Sequence, residues 1–405
     1  MRRIRWNRNG SSARWPVPLL LVLAGLLAFP MILDGPFGAG GQEGRKHVAF
    51  PDIPGYETLR ADFHMHTIFS DGQVLPGTRL TEAWREGLDV VSITDHDTMD
   101  PEHVVGDKNT PYRMARQAAK NLGLILINGT EITRFQDPDR VGHFNALFLE
   151  EVGDVVGKDY FQAIEAAVAQ GGFVFLNHPS EGWNSHEWKE EFQRLEAHGY
   201  IHGVEVVNGG RYYDNAHDWC NGKGLTAVGT SDLHGPSHYS YGYGPEGHRP
   251  MTLLFVRERS ADGVKEALFA GRTVVYSGNM LYGKEELLQP LFRESITIPD
   301  PEVALPAEGA VSLQIRNHSD VDLRLIPADG TDGGWQAVEG GRGIEASGAV
   351  VVPARRIGRL TLRSRDPGET GTLPLRLRYR VENLLTAPGS PLTVEIPLEV
   401  TVAAR

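Results

Sequence analysis

Residues 62–72 read Asp62-Phe63-His64-Met65-His66-Thr67-Ile68-Phe69-Ser70-Asp71-Gly72. On a strand, residues i and i+2 share a face, so His64 and His66 can point at one site from a strand end. Asp71 follows on a Ser-Asp-Gly turn that can fold back toward the same place. Taken alone, a His-x-His pair is a weak signal, because two histidines also share a strand face in ordinary cores and surfaces. Its weight comes from recurrence along the chain.

Thr94-Asp95-His96-Asp97 closes the apolar run Val90-Val91-Ser92-Ile93, and Gly129-Thr130-Glu131 closes another. Gly142-His143-Phe144-Asn145 opens a third, and Asn177-His178-Pro179 follows Phe173-Val174-Phe175-Leu176. Gly229-Thr230-Ser231-Asp232-Leu233-His234 repeats the i, i+2 pairing. The pattern predicts strands over 88–94, 124–129, 143–149, 172–177, 203–207, 225–230 and 251–256. Helix-like spacing lies between them at 78–86, 111–121, 160–170, 188–198, 213–222 and 261–270. Such alternation argues for a parallel α/β barrel or an open α/β sheet. In α/β barrels the strand C-terminal ends form the active-site face, where all these candidate ligands except His143 would sit.

The texture changes after Ile296. Pro299, Pro301 and Pro306 mark a junction, and residues 312–326, 348–364, 373–382 and 392–403 read as strands with turn signals between them. This predicts a β-sandwich over 294–405 with no catalytic constellation. Residues 42–57 read as a linker and 58–293 as the α/β domain. Residues 1–41 stand apart: Arg2, Arg3, Arg5, Arg8 and Arg14 precede an uncharged run at 15–33, the pattern of a signal peptide or N-terminal membrane anchor. The expected location is therefore exported: periplasmic, extracellular or anchored on the outer face of the membrane.

Across 405 residues, 40 Lys+Arg stand against 52 Asp+Glu, a net charge of -12, which speaks against a non-specific nucleic-acid binder. Mean hydropathy is -0.29, that of a globular chain rather than a polytopic membrane protein. Cys220 is the only cysteine, so neither an intrachain disulfide nor a Cys-based zinc site can form. Of 15 histidines, 14 precede residue 250. Imidazoles with bridging carboxylates suit manganese, zinc or iron, and nine candidate ligands exceed what one ion needs, so two or three divalent ions are expected. Paired metals about 3.5–4 Å apart polarise a phosphoryl oxygen and generate hydroxide at neutral pH. No nucleophile elbow, phosphate-cradling Gly-Lys loop or dinucleotide fingerprint is present.

Residues 59–256 resemble the PHP family, the polymerase and histidinol phosphatase superfamily of metal-dependent phosphoesterases. His64-x-His66, Ser70-Asp71-Gly72, Thr94-Asp95-His96, Glu131, His143, Asn177-His178-Pro179 and Asp232-x-His234 match its motifs in order. The resemblance implies a distorted (β/α)7 TIM-like barrel with a bi- or trinuclear centre. It implies that His64, His66, Glu131 and Asp232 hold one ion. A second falls to Glu131, His143 and His178, with Glu131 bridging, and a third to Asp71, His96 and His234. Phe50-Pro-Asp-Ile-Pro-Gly-Tyr56, the stretch Gly203 to Gly210, Ala216-His-Asp-Trp-Cys220 and Gly271-Arg-Thr-Val-Val-Tyr276 look like exported PHP proteins, a group that includes phosphodiesterases of organophosphate diesters.

The expected activity is hydrolysis of a small-molecule phosphoester by a metal-bridging hydroxide, a phosphodiesterase before a phosphatase. The alternatives are a PHP-type hydrolase of carboxylic esters or carbamates, and a non-enzymatic exported metal-binding or adhesion protein. Asp232 or His234 would shuttle the leaving-group proton. Arg211, Asn145, Arg134, Tyr212 and Arg249 are candidates for contacting an anionic substrate, with Arg211 ranked highest because it follows a strand end. Asp62 is expected to accept a hydrogen bond from the second N–H of a ligand histidine, and Asp95 could do the same. His238, Tyr239, Tyr241, Tyr243 and His248 lie in a Gly/Pro-rich stretch that could form a pocket wall. His186, His198, His202 and His217 read as non-ligands.

Overall fold

Strand and helix alternate from Glu57 to Ser295 in a computed structural model that describes residues 44–98, 107–134, 142–179, 187–242, 247–328, 335–341, 343–365 and 370–403. The Arg-rich leader and apolar run of residues 1–41 lie outside the described residues, as do His103, His186 and Tyr243. Among the described residues no helix is long and apolar enough to cross a membrane.

The strands of this part are β1 (Glu57–Asp62), β2 (Val90–Ile93), β3 (Ile125–Ile132), β4 (Phe144–Leu147), β5 (Phe173–Leu176), β6 (Gly203–Asn208), β7 (Arg211–Tyr212), β8 (Thr226–Thr230), β9 (Met251–Val256), β10 (Thr273–Ser277) and β11 (Met280–Gly283). The helices are α1 (Pro76–Arg85), α2 (Thr110–Leu122), α3 (Tyr160–Ala169), α4 (Glu190–Ala197), α5 (Asp214–Lys223), α6 (Ser237–Tyr241), α7 (Ala261–Phe269) and α8 (Glu285–Ser295). β2, β4, β5, β6 and β9 are buried along their whole length, so their residues are mainly apolar and the few polar ones, such as Asn145 in β4 and Glu205 in β6, need partners inside the fold. The helices start on local signals. Asp159 and Ser260 accept the backbone N–H groups of Gln162 and Gly263, and Pro76 and Pro111 sit in first turns that need no N–H.

The strand path runs β11-β10-β9-β1-β2-β3-β4-β5-β6, and β8 pairs with β6. β8 then meets β9 through Thr252, whose hydroxyl accepts from the Gly229 N–H and donates to the Gly229 carbonyl, both at 2.9 Å. The sheet is mixed in direction. β1-β2-β3 and β5-β6-β8 are parallel, but β3-β4, β4-β5, β1-β9, β9-β10 and β10-β11 are antiparallel. The connection from Ile132 to Phe144 is too short for a helical crossover, so β4 returns beside β3 in the opposite sense. That reversal is why His143 opens its strand and still lies at the site face.

Beyond α8 the chain forms β12 (Ile296–Thr297), β13 (Glu302–Leu305), β14 (Glu308–Asn317), β15 (Leu323–Pro327), β16 (Trp335–Ala337), β17 (Ile344–Ser347), β18 (Val350–Val352), β19 (Ile357–Arg365), β20 (Gly371–Ala387) and β21 (Ser390–Val402). β12-β14-β19-β17-β16 make one sheet, while β13, β21, β20, β15 and β18 extend the first sheet through β11. Burial in β21 alternates along the strand, the mark of one face on a core and one in solvent. β11 pairs in parallel with β20 at Leu281↔Leu384 and Tyr282↔Leu385, so the sheet continues across residue 294. The stretch read as a linker is also partly built in: Val48, Ala49, Phe50 and Ile53 are buried, and the Lys46 N–H bonds the Arg85 carbonyl at 2.7 Å.

Candidate metal centre

β1, β2, β5 and β8 end just short of the ligand-type residues that follow them, whereas Glu131 lies within β3 and His143 just before β4. β1 stops at Asp62, so His64 and His66 belong to the segment beyond it rather than to the strand itself. They keep their common direction because the His66 N–H bonds the Leu233 carbonyl and the Thr94 N–H bonds the Met65 carbonyl. The loop that follows is folded around Asp95. Its carboxylate accepts from the Thr67 N–H at 2.7 Å, the Thr67 hydroxyl at 2.6 Å and the Ser70 hydroxyl at 2.8 Å. Asp95 therefore holds the turn that carries Asp71 and meets no ligand imidazole. Gly72 completes that turn, because a Cβ there would lie 2.6 Å from the His66 carbonyl carbon and the Thr67 nitrogen.

All nine residues expected as ligands converge. Donor atoms lie within 4.8 Å of one another in four overlapping groups: His66, Asp71, His96 and His234; His64, Glu131 and His178; His64, His66 and Asp232; and His96, Glu131 and His143. The carboxylate of Glu131 is the hub. Its Oε1 lies 2.9 Å from His143 Nδ1, 2.9 Å from Asn177 Nδ2 and 3.5 Å from His178 Nε2. Its Oε2 is buried and takes no hydrogen bond, although nitrogens of His96, His64 and His66 stand 3.0, 3.3 and 3.3 Å away. Nε2 of His64 and Nε2 of His66 approach each other to 3.1 Å, and each lies close to Asp232 Oδ1, at 3.2 and 3.1 Å. Imidazole nitrogens and carboxylate oxygens crowded around one buried oxygen are the pattern a cation resolves, so the residues fit divalent ions.

The electrostatics agree. Burial opposes charging His64, but Asp232, Glu131 and Glu205 outweigh it and hold its pKa well above the usual histidine value. His96 is likewise resisted by burial and lifted by Glu131 and Asp71 to about 10. His178 and His234 are raised in the same way, whereas burial beside His64 keeps His66 low. Despite burial, the neighbouring imidazoles hold Glu131, Asp232 and Asp71 below the usual carboxylate range. The site thus demands positive charge, and ion binding would release the protons that otherwise supply it. Side-chain exposure rises from 0% at His64 and His66 to 35% at Asp71 and 38% at His234, so the site opens at the last two.

Two ligand-type residues have left-handed backbones, His178 at φ 26° and Asp232 at φ 51°, a conformation that non-glycine residues adopt at a cost. The His178 N–H is held by Glu205 Oε2 at 2.6 Å and the Asp232 N–H by the His64 carbonyl at 2.9 Å.

Several expected roles change. Asp62 does not orient a histidine ring: it accepts from Arg249, from the hydroxyl and N–H of Ser231 and from the His64 N–H. Arg249 is wholly buried between Asp62 and Glu86 and has no path to a substrate. Asn145 is also fully buried, donating to the Phe63 carbonyl and accepting from Asn177, so it braces Glu131 at one remove instead of contacting substrate. Arg134 is spent on Asp97, at 2.6 and 2.8 Å, and on the carbonyls of Val155 and Lys158. Arg211 is exposed on β7, paired in register with Asn208, whose amide reaches Asp232 at 3.3 Å. Tyr212 is stacked on Tyr282. In the proposed pocket wall Tyr241 is largely buried, Tyr239 is 78% exposed, and His248 is stacked on Tyr276. Sequence reasoning gave no role to Glu205, Asn208 or Asn177 individually. The signal for Glu205 was there: a lone carboxylate inside Gly203-Val-Glu-Val-Val has to be paired.

A two-domain protein from Bacteroides vulgatus ATCC 8482 containing a predicted PHP-like metal-dependent phosphoesterase shares 36% identity with this chain, over 89% of this chain and 100% of that one, with a TM-score of 0.78. The chain belongs to that PHP-like family. It is a metal-dependent phosphoesterase of the PHP type, and its histidine and carboxylate clusters are those of a divalent-metal hydrolase. A putative metal-dependent phosphoesterase from Bifidobacterium adolescentis shares 20% identity, covers 52% of this chain and 96% of that one, and has a TM-score of 0.36. The lesion-specific endonuclease EndoQ from Pyrococcus furiosus shares 13%, covers 56% and 59%, and has a TM-score of 0.38. Both likenesses are too slight to bear on function. No family model and no curated protein matches the sequence.

Proposed function

We propose that this PHP protein is an exported phosphodiesterase that uses two or three manganese, zinc or iron ions, on a closed (β/α)7-type barrel followed by a β-sandwich. The observation that carries it is the buried carboxylate of Glu131 at the centre of the nine converging ligand-type side chains. When bound, the ions supply Lewis acidity toward the phosphoryl oxygens and a nucleophile from water at neutral pH. The chain supplies the rest. Glu131, His64, His66, His96, His143, His178 and Asp232 form the enclosed floor, and Asp71 and His234 form the open side. His234 Nε2 lies 3.3 Å from Asp71 and is the most exposed imidazole of the set, so with Asp232 it is placed to hand a proton to the departing oxygen. Arg211, across the β6–β7 hairpin from Asn208, supports contact with a phosphate oxygen from the rim. The resemblance of residues 50–292 to exported PHP proteins favours a diester, and the Arg-rich leader and apolar run favour export.

The test is paired hydrolysis of bis(p-nitrophenyl) phosphate and p-nitrophenyl phosphate by residues 42–405 with manganese, zinc or iron, and metal counted per chain. Faster diester turnover, abolished together with metal uptake in Glu131→Gln, is the expected result. Full turnover in Glu131→Gln refutes the scheme. Monoester preference makes the protein a phosphatase, and silence on both with turnover of aryl esters or carbamates moves the reaction to carbonyl carbon.

A further inference from the structure

Glu205 lies inside β6, where every residue is buried, and is itself 0% exposed. A carboxylate in such a place needs donors, and it has four from four parts of the chain. Oε1 takes His64 Nδ1 at 2.7 Å and the Thr230 hydroxyl at 2.6 Å. Oε2 takes the His178 backbone N–H at 2.6 Å and Asn208 Nδ2 at 2.9 Å. These partners sit after β1, at the end of β8, after β5 and at the end of β6. We propose that Glu205 is the positioning residue of the metal centre: it accepts the hydrogen bond of the His64 Nδ1–H, which leaves His64 Nε2 bare toward the ions, and it pins the left-handed turn that aims His178.

The chemistry of the four partners makes this directional. An ionised carboxylate only accepts, so the imidazole nitrogen facing it carries the hydrogen. The opposite nitrogen, Nε2, then offers its lone pair where Glu131 Oε2, Asp232 Oδ1 and His66 Nε2 meet, at 3.3, 3.2 and 3.1 Å. A carboxylate behind a metal-bound imidazole sets the tautomer and raises ligand basicity. The same residue reaches Asp232 indirectly, since Asn208 Nδ2 is shared between Glu205 and Asp232 Oδ2.

Glu205→Gln turns this arrangement against itself at unchanged volume. The His178 N–H can only donate, so the glutamine oxygen has to stay on that side. Its NH2 group must then face Thr230 and His64 Nδ1. The hydroxyl can rotate to accept, and the imidazole can accept only by moving its hydrogen to Nε2, the atom that should hold an ion.

The inference rests on the metal-centre reading but not on which ester is cleaved, and the experiment separates the two. Zinc uptake is measured by chelator competition in the full chain and in Glu205→Gln, alongside the 15N imidazole spectrum of the zinc-loaded wild type and the melting of both metal-free proteins. The expected results are a hydrogen on His64 Nδ1 in the wild type and an affinity about 10–100-fold weaker in the variant. Unchanged affinity in a folded variant overturns the proposal, even if its metal-free form melts lower, since that is a structural role alone. Should the variant fail to fold, the wild-type spectrum decides: a hydrogen on Nε2 overturns it. A wild type that takes up no metal overturns the metal centre and this inference with it.

Discussion

Replacing Arg249 with methionine should cost stability rather than substrate binding. The guanidinium is wholly buried, with Nη1 3.0 Å from Asp62 Oδ2 and Nε 2.6 Å from Glu86 Oε2. Asp62 is also 0% exposed. Burial pushes its carboxyl up, and the charge of Arg249 is the main influence pulling it back. Methionine keeps most of the volume, so the cost is dominated by the carboxylate left unpaired. Removing one partner of a buried ion pair destabilises by about 3–5 kcal/mol. Glu86 adds little, because at 13% exposure water can reach it. The sign with pH follows: a carboxyl whose folded pKa is raised loses stability as pH rises through that value, so the deficit should be largest near neutrality and shrink toward acid. Urea unfolding of wild type, Arg249→Met, Asp62→Asn and the double variant forms the cycle, and the double variant should recover about 1–3 kcal/mol of coupling. An Arg249→Met protein within about 1 kcal/mol of wild type, with a raised KM, would refute this and return Arg249 to the substrate.

Two further outcomes follow from the geometry. Gly72→Ala should push the loop between His66 and Asp71 aside, because its Cβ would meet backbone at 2.6 Å. A destabilisation of about 1–3 kcal/mol is expected, with weaker metal uptake, and a variant with wild-type melting and affinity would show that the turn has slack. His217 is buried on Tyr282 beside the Tyr212 hydroxyl, and burial lowers it from 6.5 to about 4. The unfolded chain takes up this proton first, so stability is complete above the unfolded value and falls as pH drops toward 4, by about 3 kcal/mol in all. His217→Leu should flatten the pH dependence of urea stability in that window, and an unchanged slope would assign acid sensitivity elsewhere.

The ligand-type residues were legible because each sits at a boundary the sequence marks plainly, where an apolar run meets His, Asp or Glu. Periodicity identifies the run, its end is the site face, and no partner need be known to predict that these residues face one place. Helices α1 to α5 and α7 were legible for the same reason, since their apolar spacing is local. Glu205, Arg249 and Asn145 were not. A charged or amide side chain in or just before an apolar strand announces that it must be paired, but its partner is chosen by segments that are distant in sequence. Thus Arg249 read as a substrate contact until Asp62 and Glu86 appeared around it, and Asp62 read as a histidine partner until Glu205 took that place.

Sequence alone determined the chemistry available: nine imidazole and carboxylate donors, no usable thiol pair and strand ends to carry them. It also set the order in which they arrive, which is local information. Only the tertiary structure decided the direction of β4, the continuation of the sheet from β11 into β20, and which buried carboxylate serves a ligand and which serves an arginine. Those outcomes depend on long-range registers and on the cost of leaving a buried charge unpaired, and both are settled only when the strands meet.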